Sequence, residues 1–256
     1  MEQNNKFMTN AINLKSYSLS ETDKIVVMYS QDKGLIRGVA KGAKKPKSKL
    51  GGRMDLLVAN KLMLHKGRNL DTITQAEALN TFYNTRTDMN KMVYSLYCAE
   101  IVINFGMEND PSSEEIYDLL FGVLEQISEA KNKIEILLKC LKFQLKICQI
   151  LGYGLELSNC VLCSKEQENQ DIWFSKTHGG IICKDCAQNL LSIKKMNPKL
   201  QKFLIANLET NFDQKTAYDD LVDEKFAMFC FNFLKDYIAN FSSKPFKTLE
   251  TISCVN

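Results

Sequence analysis

The sequence predicts a multidomain α+β protein, in which a small five-stranded β-barrel precedes a helical domain that contains a four-cysteine module. Three observations lead to this prediction. Short β-rich segments recur over the first 80 residues, helical periodicity follows from about residue 82, and two Cys-x2-Cys pairs lie within the helical part. We expect domains at residues 1–80, 81–157, 158–188 and 189–256.

Five short strands account for most of the first domain. They are predicted at residues 12–19, 24–30, 35–40, 56–65 and 70–79. β-branched residues cluster in these segments between turn signals such as QDKG and KGRN. Because alternate residues of a strand point to the same side, Leu62 and Leu64 should share one face. Five strands at this spacing favour a closed barrel of the oligonucleotide-binding (OB) type.

Helical spacing of apolar residues replaces this pattern in the rest of the chain. Ser112 and Glu115 have the spacing of a capping box at the start of the second helix. The last helix carries an aromatic stripe that we expect to be packed core rather than a docking groove. The predicted helices cover residues 92–105, 114–127 and 133–152, and the stripe comprises Phe226, Phe229, Phe233, Leu234, Tyr237, Ile238 and Phe241.

Four of the nine cysteines form a pattern typical of a metal site. Cys160 and Cys163 make one Cys-x2-Cys pair, and Cys183 and Cys186 make the other. Two such turns can direct four thiolates toward one point, which is the tetrahedral coordination of structural Zn²⁺. The segment between the pairs resembles a β-hairpin that would bring them together. We therefore predict one structural zinc ion, in a module like a zinc ribbon.

A catalytic role for this metal is not expected. Zinc deaminases carry a His-x-Glu signature, whereas His178 is followed by two glycines and serves as a turn residue. Four thiolates also leave no open position for a substrate. With two histidines in all and no carboxylate cluster, we predict that the chain is not an enzyme. The remaining cysteines are predicted to be small core residues: Cys98, Cys140, Cys148, Cys230 and Cys254.

Positive charge is concentrated in one segment of the chain. The net charge is +3, but from Lys33 to Arg68 eleven Lys or Arg residues stand against one acid, Asp55. A local basic patch on an otherwise mildly acidic protein indicates a site for a polyanion. The residues predicted to bind this polyanion are Arg37, Lys41, Lys44, Lys45, Lys47, Lys49, Arg53, Lys66 and Arg68.

The lysine run KGAKKPKSKL has two possible interpretations. Such a run is usually a solvated, flexible loop, but here it lies between two strands of the predicted barrel. Lysines contact phosphates as point charges, so binding would be independent of base sequence. Only three aromatic residues precede position 82, so we expect backbone binding of both single and double strands rather than a groove of stacked bases.

The chain shows no signal for a membrane or for secretion. No apolar run reaches the roughly 18 residues of a membrane span, and the polar N-terminus lacks an apolar signal core. We therefore expect a cytoplasmic protein.

Four stretches occur in order between about residues 10 and 190: KGLIRGVAKGAKKPKSKLGGRMDLL, LDTITQAEAL, LGYGLELSNCVLC and GGIICKDC. Together they resemble the bacterial RecO family of recombination mediators. The resemblance implies an OB-fold, a helical domain and a zinc module set within the helices. It also implies binding of single- and double-stranded DNA, annealing of complementary strands, and a place at the nucleoid. With RecR, and often RecF, such proteins load RecA onto DNA coated by single-strand-binding protein.

The resemblance further implies a docking groove in the helical domain. It would take the acidic, hydrophobic tail of single-strand-binding protein and carry basic residues at its edge. Lys139, Lys142 and Lys146 are candidates for that edge. An RNA-binding or transcription-associated zinc-ribbon adaptor is the alternative function, and faster annealing of complementary DNA strands would distinguish the two.

Overall fold

The computed structural model describes residues 5–167, 171–188, 190 and 193–248. The chain forms two compact units, the first up to Lys131 together with the residues from Phe246 onward, and the second from Asn132 to Pro245. Cys254, predicted to be a core residue, lies outside the described residues. Within the described ranges, no helix combines the length and the apolar character that crossing a membrane requires.

The first unit contains a mixed sheet of the five predicted strands. They are β1 (Lys6–Ser18), β2 (Lys24–Ser30), β3 (Gly34–Ala40), β4 (Ala59–His65) and β5 (Asp71–Asn80). The sheet closes into a barrel in the order β1-β2-β3-β5-β4, with β5 parallel to β3 and every other pair antiparallel. β1 begins six residues before its predicted start, because its first half pairs with β4 from Lys6 opposite His65 to Ile12 opposite Ala59.

The barrel interior is a single apolar cluster. Leu62 and Leu64 are both fully buried in it, which confirms that they share one face. Removing such side chains from water is the main favourable contribution to folding, about 1.5–3 kcal/mol for each large aliphatic residue. The buried members are Ala11, Val26, Met28, Ile36, Ala40, Ala43, Met54, Leu62, Leu64 and Ile73.

Two helices that pack against each other complete the first unit, α1 (Met89–Phe105) and α2 (Ser113–Glu129). The predicted capping box of α2 is wrong. Ser112 occupies the N-cap, but its φ of −94° and ψ of 15° are not the extended values of a capping residue, and its side chain makes no cap bond. Asp110 supplies the acceptor instead: its Oδ1 accepts a hydrogen bond from the backbone amide of Ser112 at 2.9 Å.

A buried hydrogen bond joins the barrel to the segment before α2. The hydroxyl of Tyr29, on β2, donates to Oδ2 of Asp110 at 3.1 Å. Burial and the neighbouring charge of Asp110 raise the pKa of Tyr29, so the phenol keeps its proton and remains a donor. The carboxylate of Asp110 therefore accepts two hydrogen bonds, one from the Tyr29 hydroxyl and one from the Ser112 amide.

The second unit is built on α3 (Lys133–Ile150), which packs against α5 (Pro198–Glu209) and α6 (Glu224–Ala239). It also contains the short α4 (Lys184–Ala187) and a three-stranded sheet of order β7-β6-β8. These strands are β6 (Trp173–Ser175), β7 (Gly180–Ile182) and β8 (Lys194–Lys195). The hairpin β6–β7 was predicted, whereas β8 and α5 were not.

The aromatic stripe of α6 is only partly core. Leu234, Tyr237 and Ile238 are buried as predicted. The prediction is wrong for Phe229, whose side chain is 46% exposed. The buried face of α6 runs through Ala227, Cys230, Phe231, Leu234 and Ile238 at helical spacing, and Phe229 lies outside that stripe.

We predict that Tyr29→Phe lowers the free energy of unfolding by about 1–3 kcal/mol, because Oδ2 of the buried Asp110 loses its hydrogen bond from Tyr29 while Oδ1 keeps the one from the Ser112 amide. Urea unfolding of the two proteins measures the difference. Tyr17→Phe is the matched control, since Tyr17 is 48% exposed and the change should stay within about 0.5 kcal/mol. Equal effects of both substitutions would contradict a stabilising role for the bond.

Candidate nucleic-acid interface and metal centre

The segment that follows β3 contains the lysine run, and we call residues 41–53 the basic loop. The start of this loop is fixed by hydrogen bonds from its backbone amides. The amide of Gly42 donates to Oδ1 of Asp23 at 2.7 Å, and the amide of Lys44 donates to the carbonyl of Thr22 at 2.9 Å. Ala43 is buried in the barrel core. The loop is therefore held against the barrel while its lysine side chains face solvent.

Asp23 remains ionised while it holds the loop. The hydrogen bond from the Gly42 amide, with that from the Thr22 hydroxyl, lowers the pKa of Asp23, and the charge of Lys41 acts in the same direction. A lowered pKa stabilises the fold above the ordinary pKa of an aspartate, and this contribution is lost as the pH falls through the lowered value. The anchor is thus fully charged at neutral pH.

All nine predicted DNA-binding residues are exposed. Among the residues that the structure describes, none of the nine has its cationic nitrogen within 4.0 Å of an acidic oxygen. Two of them contact neutral oxygens instead: Lys44 donates to the Ser20 carbonyl at 2.7 Å and to the Ser18 hydroxyl, and Arg53 donates to the Lys49 carbonyl at 2.8 Å. Their positive charges are not neutralised by these contacts.

The nine residues fall in two places on the first unit. Lys41, Lys44, Lys45, Lys47, Lys49 and Arg53 belong to the basic loop. Arg37, Lys66 and Arg68 line a cavity of about 520 Å³ that also receives Lys6 and Lys33, and we call it the basic pocket. The sequence did not suggest Lys6 as a site residue, because the first half of β1 was not predicted.

The four predicted metal ligands lie together in the second unit. The sulfur atoms of Cys160, Cys163, Cys183 and Cys186 are all within 4.8 Å of one another. The β6–β7 hairpin leads directly into Cys183, whose amide donates to Sγ of Cys160 at 3.4 Å. Such a group of four thiols could hold a metal ion, and its tetrad of sulfurs suits a dication that prefers soft ligands.

The sulfur atoms influence one another's ionisation. Although burial opposes it, hydrogen bonds from the amides of Cys183, Leu162 and Cys163 lower the pKa of Cys160 to about 6. The hydrogen bond with Cys183 and the nearby Cys160 raise the pKa of Cys186 to about 12. Four thiolates this close repel one another, so the fully deprotonated set requires a cation at its centre.

His178 belongs to the turn of the hairpin, as its position in the sequence suggested. Its Nδ1 lies 2.9 Å from the hydroxyl of Ser175, which is itself buried. The same hydroxyl accepts the backbone amide of His178 at 3.3 Å. The imidazole therefore contributes to the geometry of the turn.

Lys142 is not a groove-edge residue, contrary to the candidate assignment. Its side chain is 2% exposed, lies 3.8 Å from Oδ2 of Asp219 and donates to the carbonyl of Gln214. Burial lowers the pKa of Lys142, and Asp219 opposes that shift. A residue enclosed in this way cannot meet an incoming peptide.

A different cavity of the second unit combines apolar walls with a basic edge. It measures about 540 Å³, and we call it the apolar groove. Phe229, the exposed aromatic residue of α6, is one of its walls. The other apolar lining residues are Phe174, Met196, Leu200 and Phe233, and its basic residues are Lys176, Lys194 and Lys195. One acid, Asp236, also lines it and lies 4.0 Å from Nζ of Lys176.

Comparison with known families identifies the class of protein. The family model described as "Recombination protein O N terminal" matches residues 1–82, and "Recombination protein O C terminal" matches residues 86–250. The boundary between them falls just after the barrel. The fold and the two matches define a protein of DNA repair and recombination.

Curated relatives lead to the same assignment. The chain is 31% identical over 247 residues to the DNA repair protein RecO of Desulforamulus reducens, covering 95% of this chain and 93% of the relative. It is 36% identical to that of Nostoc punctiforme over 72% of this chain and 64% of the relative, and 26% identical to that of Acetivibrio thermocellus over 98% and 100%. The chain belongs to the RecO family, and the resemblance seen in the sequence is confirmed.

Proposed function

We propose that this chain is a non-enzymatic recombination mediator that binds single- and double-stranded DNA without sequence preference and anneals complementary strands. The observation that supports it most directly is the basic loop, where six exposed cations have no acidic partner among the described residues. The closed five-stranded barrel beside it is compatible with an OB fold, whose loops bind nucleic acids in many proteins.

Annealing by such a surface makes and breaks no covalent bonds. Two DNA strands repel each other through their phosphates, and a fixed array of lysines reduces that repulsion when both strands are bound. Lysine ammonium groups contact phosphates as point charges, so the base edges stay available for pairing. Membership of the RecO family supplies the setting of DNA repair.

We assign the metal site a structural role with zinc as its ion. Cys160, Cys163, Cys183 and Cys186 would hold the ion and fill its coordination sphere, so no position is left for a substrate. The ion would join the turn that begins at Cys160 to the start of α4, where Cys183 is the N-cap. It would thereby stabilise the sheet and helices that follow.

The proposed partners follow from the family and from one surface. RecR and RecF would cooperate with this chain to load RecA on DNA coated by single-strand-binding protein, in the cytoplasm at the nucleoid. The tail of single-strand-binding protein, which is acidic and hydrophobic, would dock in the apolar groove. Charge complementarity supports this occupant, because three lysines border the apolar walls: Lys194 has no ion pair among the described residues, whereas Lys176 and Lys195 pair with Asp236 and Asp171 at exposed positions.

We predict that reversing Lys44, Lys45 and Lys47 to Glu weakens binding to single strands and duplex alike and slows annealing of complementary DNA. Loss of three phosphate contacts should reduce the slope of log K against log salt by roughly 2 on single strands and by about 2.7 on duplex. Fluorescence anisotropy across a salt titration measures both slopes.

The control for this experiment reverses three exposed lysines of the second unit, Lys202, Lys225 and Lys244, which changes the net charge equally. Its DNA affinity should stay near that of the unaltered protein. Equal losses in both triple variants would show a general charge effect and count against the basic loop. Acceleration of RNA pairing alone would favour the zinc-ribbon adaptor.

We predict about one zinc ion per purified chain, and Cys163→Ser should lower that content sharply and reduce the thermal stability of the second unit. Elemental analysis by mass spectrometry gives the stoichiometry. Cys230→Ala is the control, because Cys230 is buried in α6 apart from the cluster and its loss should leave the zinc content unchanged. Metal-free protein of unaltered stability would contradict this assignment.

We predict that Phe229→Ser weakens binding of a synthetic tail peptide of single-strand-binding protein about tenfold or more, because it removes an aromatic wall of the groove. Leu221→Ser is the control, since Leu221 is 75% exposed and does not line the groove. Calorimetric titration measures both affinities. A peptide that binds both variants equally would place its site elsewhere.

A further inference from the structure

The basic pocket has a preformed frame. One wall is the turn at residues 66–70 between β4 and β5, and the other is formed by Glu108 and Asn109 after α1. The amide of Lys66 donates to the carbonyl of Asn5 at 2.7 Å, which fixes the turn against the start of β1. The amide of Asn109 donates to the carbonyl of Lys33 at 2.7 Å, which fixes the opposite wall.

A glycine at the start of β3 permits the close approach of this second wall. Gly34 has a φ of +65°, and a Cβ atom added there would lie 2.3 Å from the carbonyl oxygen of Met107. That carbonyl accepts the amide of Leu35 at 2.8 Å. The pocket is thus bounded by backbone hydrogen bonds on both sides, and no rearrangement is needed to form it.

The charges of the pocket favour an anion. Five cationic side chains line it against two acids, Asp71 and Glu108. Oδ1 of Asp71 accepts the amide of Gly67 at 3.1 Å, so this carboxylate serves the turn. The cationic lining residues are Lys6, Lys33, Arg37, Lys66 and Arg68.

The pocket also offers an aromatic surface, which the basic loop lacks. Phe7 is half-buried at the end of the barrel core, and Nζ of Lys33 lies 5.0 Å from the centre of its ring. Leu35 and Ile36 add apolar surface from β3. A cationic cavity with one aromatic side chain and an apolar floor matches both parts of a nucleotide, the phosphate and the base.

We propose that the basic pocket takes one unpaired nucleotide, with its phosphate at Arg37, Lys66 and Arg68 and its base against Phe7 and Leu35. The cavity volume of about 520 Å³ lies within the range of roughly 300–1,000 Å³ typical of small-molecule sites. This inference rests on the proposed function and adds to it a preference for unpaired nucleotides. The basic loop binds any phosphate chain, whereas a base enters the pocket only if it is not paired.

The preference arises from the cost of exposing a base. A paired base must leave its stack before it can enter, which costs a few kcal/mol, whereas a base in a single strand is already accessible. Contact of a base with an aromatic side chain supplies about 1–3 kcal/mol on a single strand. The pocket therefore raises affinity for single strands and contributes little on duplex DNA.

The test compares two double substitutions that remove the same charge, Lys66→Ala with Arg68→Ala in the pocket, and Lys44→Ala with Lys45→Ala in the basic loop. All four side chains are exposed, so both proteins should fold. We expect the affinity of the pocket variant to fall roughly tenfold or more for a single strand and less than about threefold for duplex of the same length. The affinity of the loop variant should fall by the same factor for both.

A second measurement reports the base directly. A single strand that contains 2-aminopurine should change its fluorescence on binding to the unaltered protein and to the loop variant, but not to the pocket variant at saturating concentration. Deoxyadenosine monophosphate, added as a competitor, tests whether a free nucleotide binds the pocket. If it competes at the pocket as strongly as a strand does, the ligand is a free nucleotide, and the proposal of a strand site is overturned.

The remaining outcomes are also decisive. Equal loss on single strands and duplex by the pocket variant would mean phosphate contact alone and would overturn the inference, while leaving the proposed function intact. Unchanged DNA binding by the pocket variant, with loss of an acidic protein partner, would assign the pocket to that partner. Unchanged binding by the loop variant, with a selective loss by the pocket variant, would overturn the proposed role of the basic loop and support the pocket.

Discussion

Closure of the barrel between β3 and β5 is the contact on which both cationic surfaces of the first unit depend. The two strands pair in parallel over only two residue pairs, Gly38 with Asp71 and Val39 with Thr72. The approach is close, since a Cβ atom at Gly38 would lie 2.8 Å from Cγ1 of Ile73. This pairing sets the end of β3, where the basic loop begins, and the start of β5, where the turn of the basic pocket ends.

The lysines of the basic loop lie close together, so the fold has to hold the loop in place against their mutual repulsion. Five lysines in ten residues repel one another, and no neighbouring carboxylate pairs with them within the described residues. Asp23 holds the loop mainly through the backbone amide of Gly42, and its charge also attracts Lys41 without forming an ion pair within 4.0 Å. The fold supplies the anchor, and the lysines keep their charge for a ligand.

The sequence predicted most of the parts in which neighbouring residues determine the outcome, and the capping box of α2 is the exception. Strand segments, the two Cys-x2-Cys turns and the exposed lysines depend on local pattern, and the structure contains all of them. It did not predict features that depend on distant partners. β1 extends to Lys6 only because β4 pairs with it, β8 is a strand only beside β6, and Lys142 is buried because Asp219 and Gln214 enclose it. The basic pocket was missed for the same reason.

The choice of lysine in the loop also suits the last step of the proposed annealing. A mediator has to release the duplex that it has helped to form, and contacts that consist of charge alone weaken steeply with salt and exchange readily. Arginine forks hold phosphates in fixed bidentate geometry, and five of the six cations of the basic loop are lysines. Contact between a base and the basic pocket would end when that base pairs. Pairing itself would then remove the one interaction specific to a single strand, and the product would be held only by the weaker, exchangeable contacts.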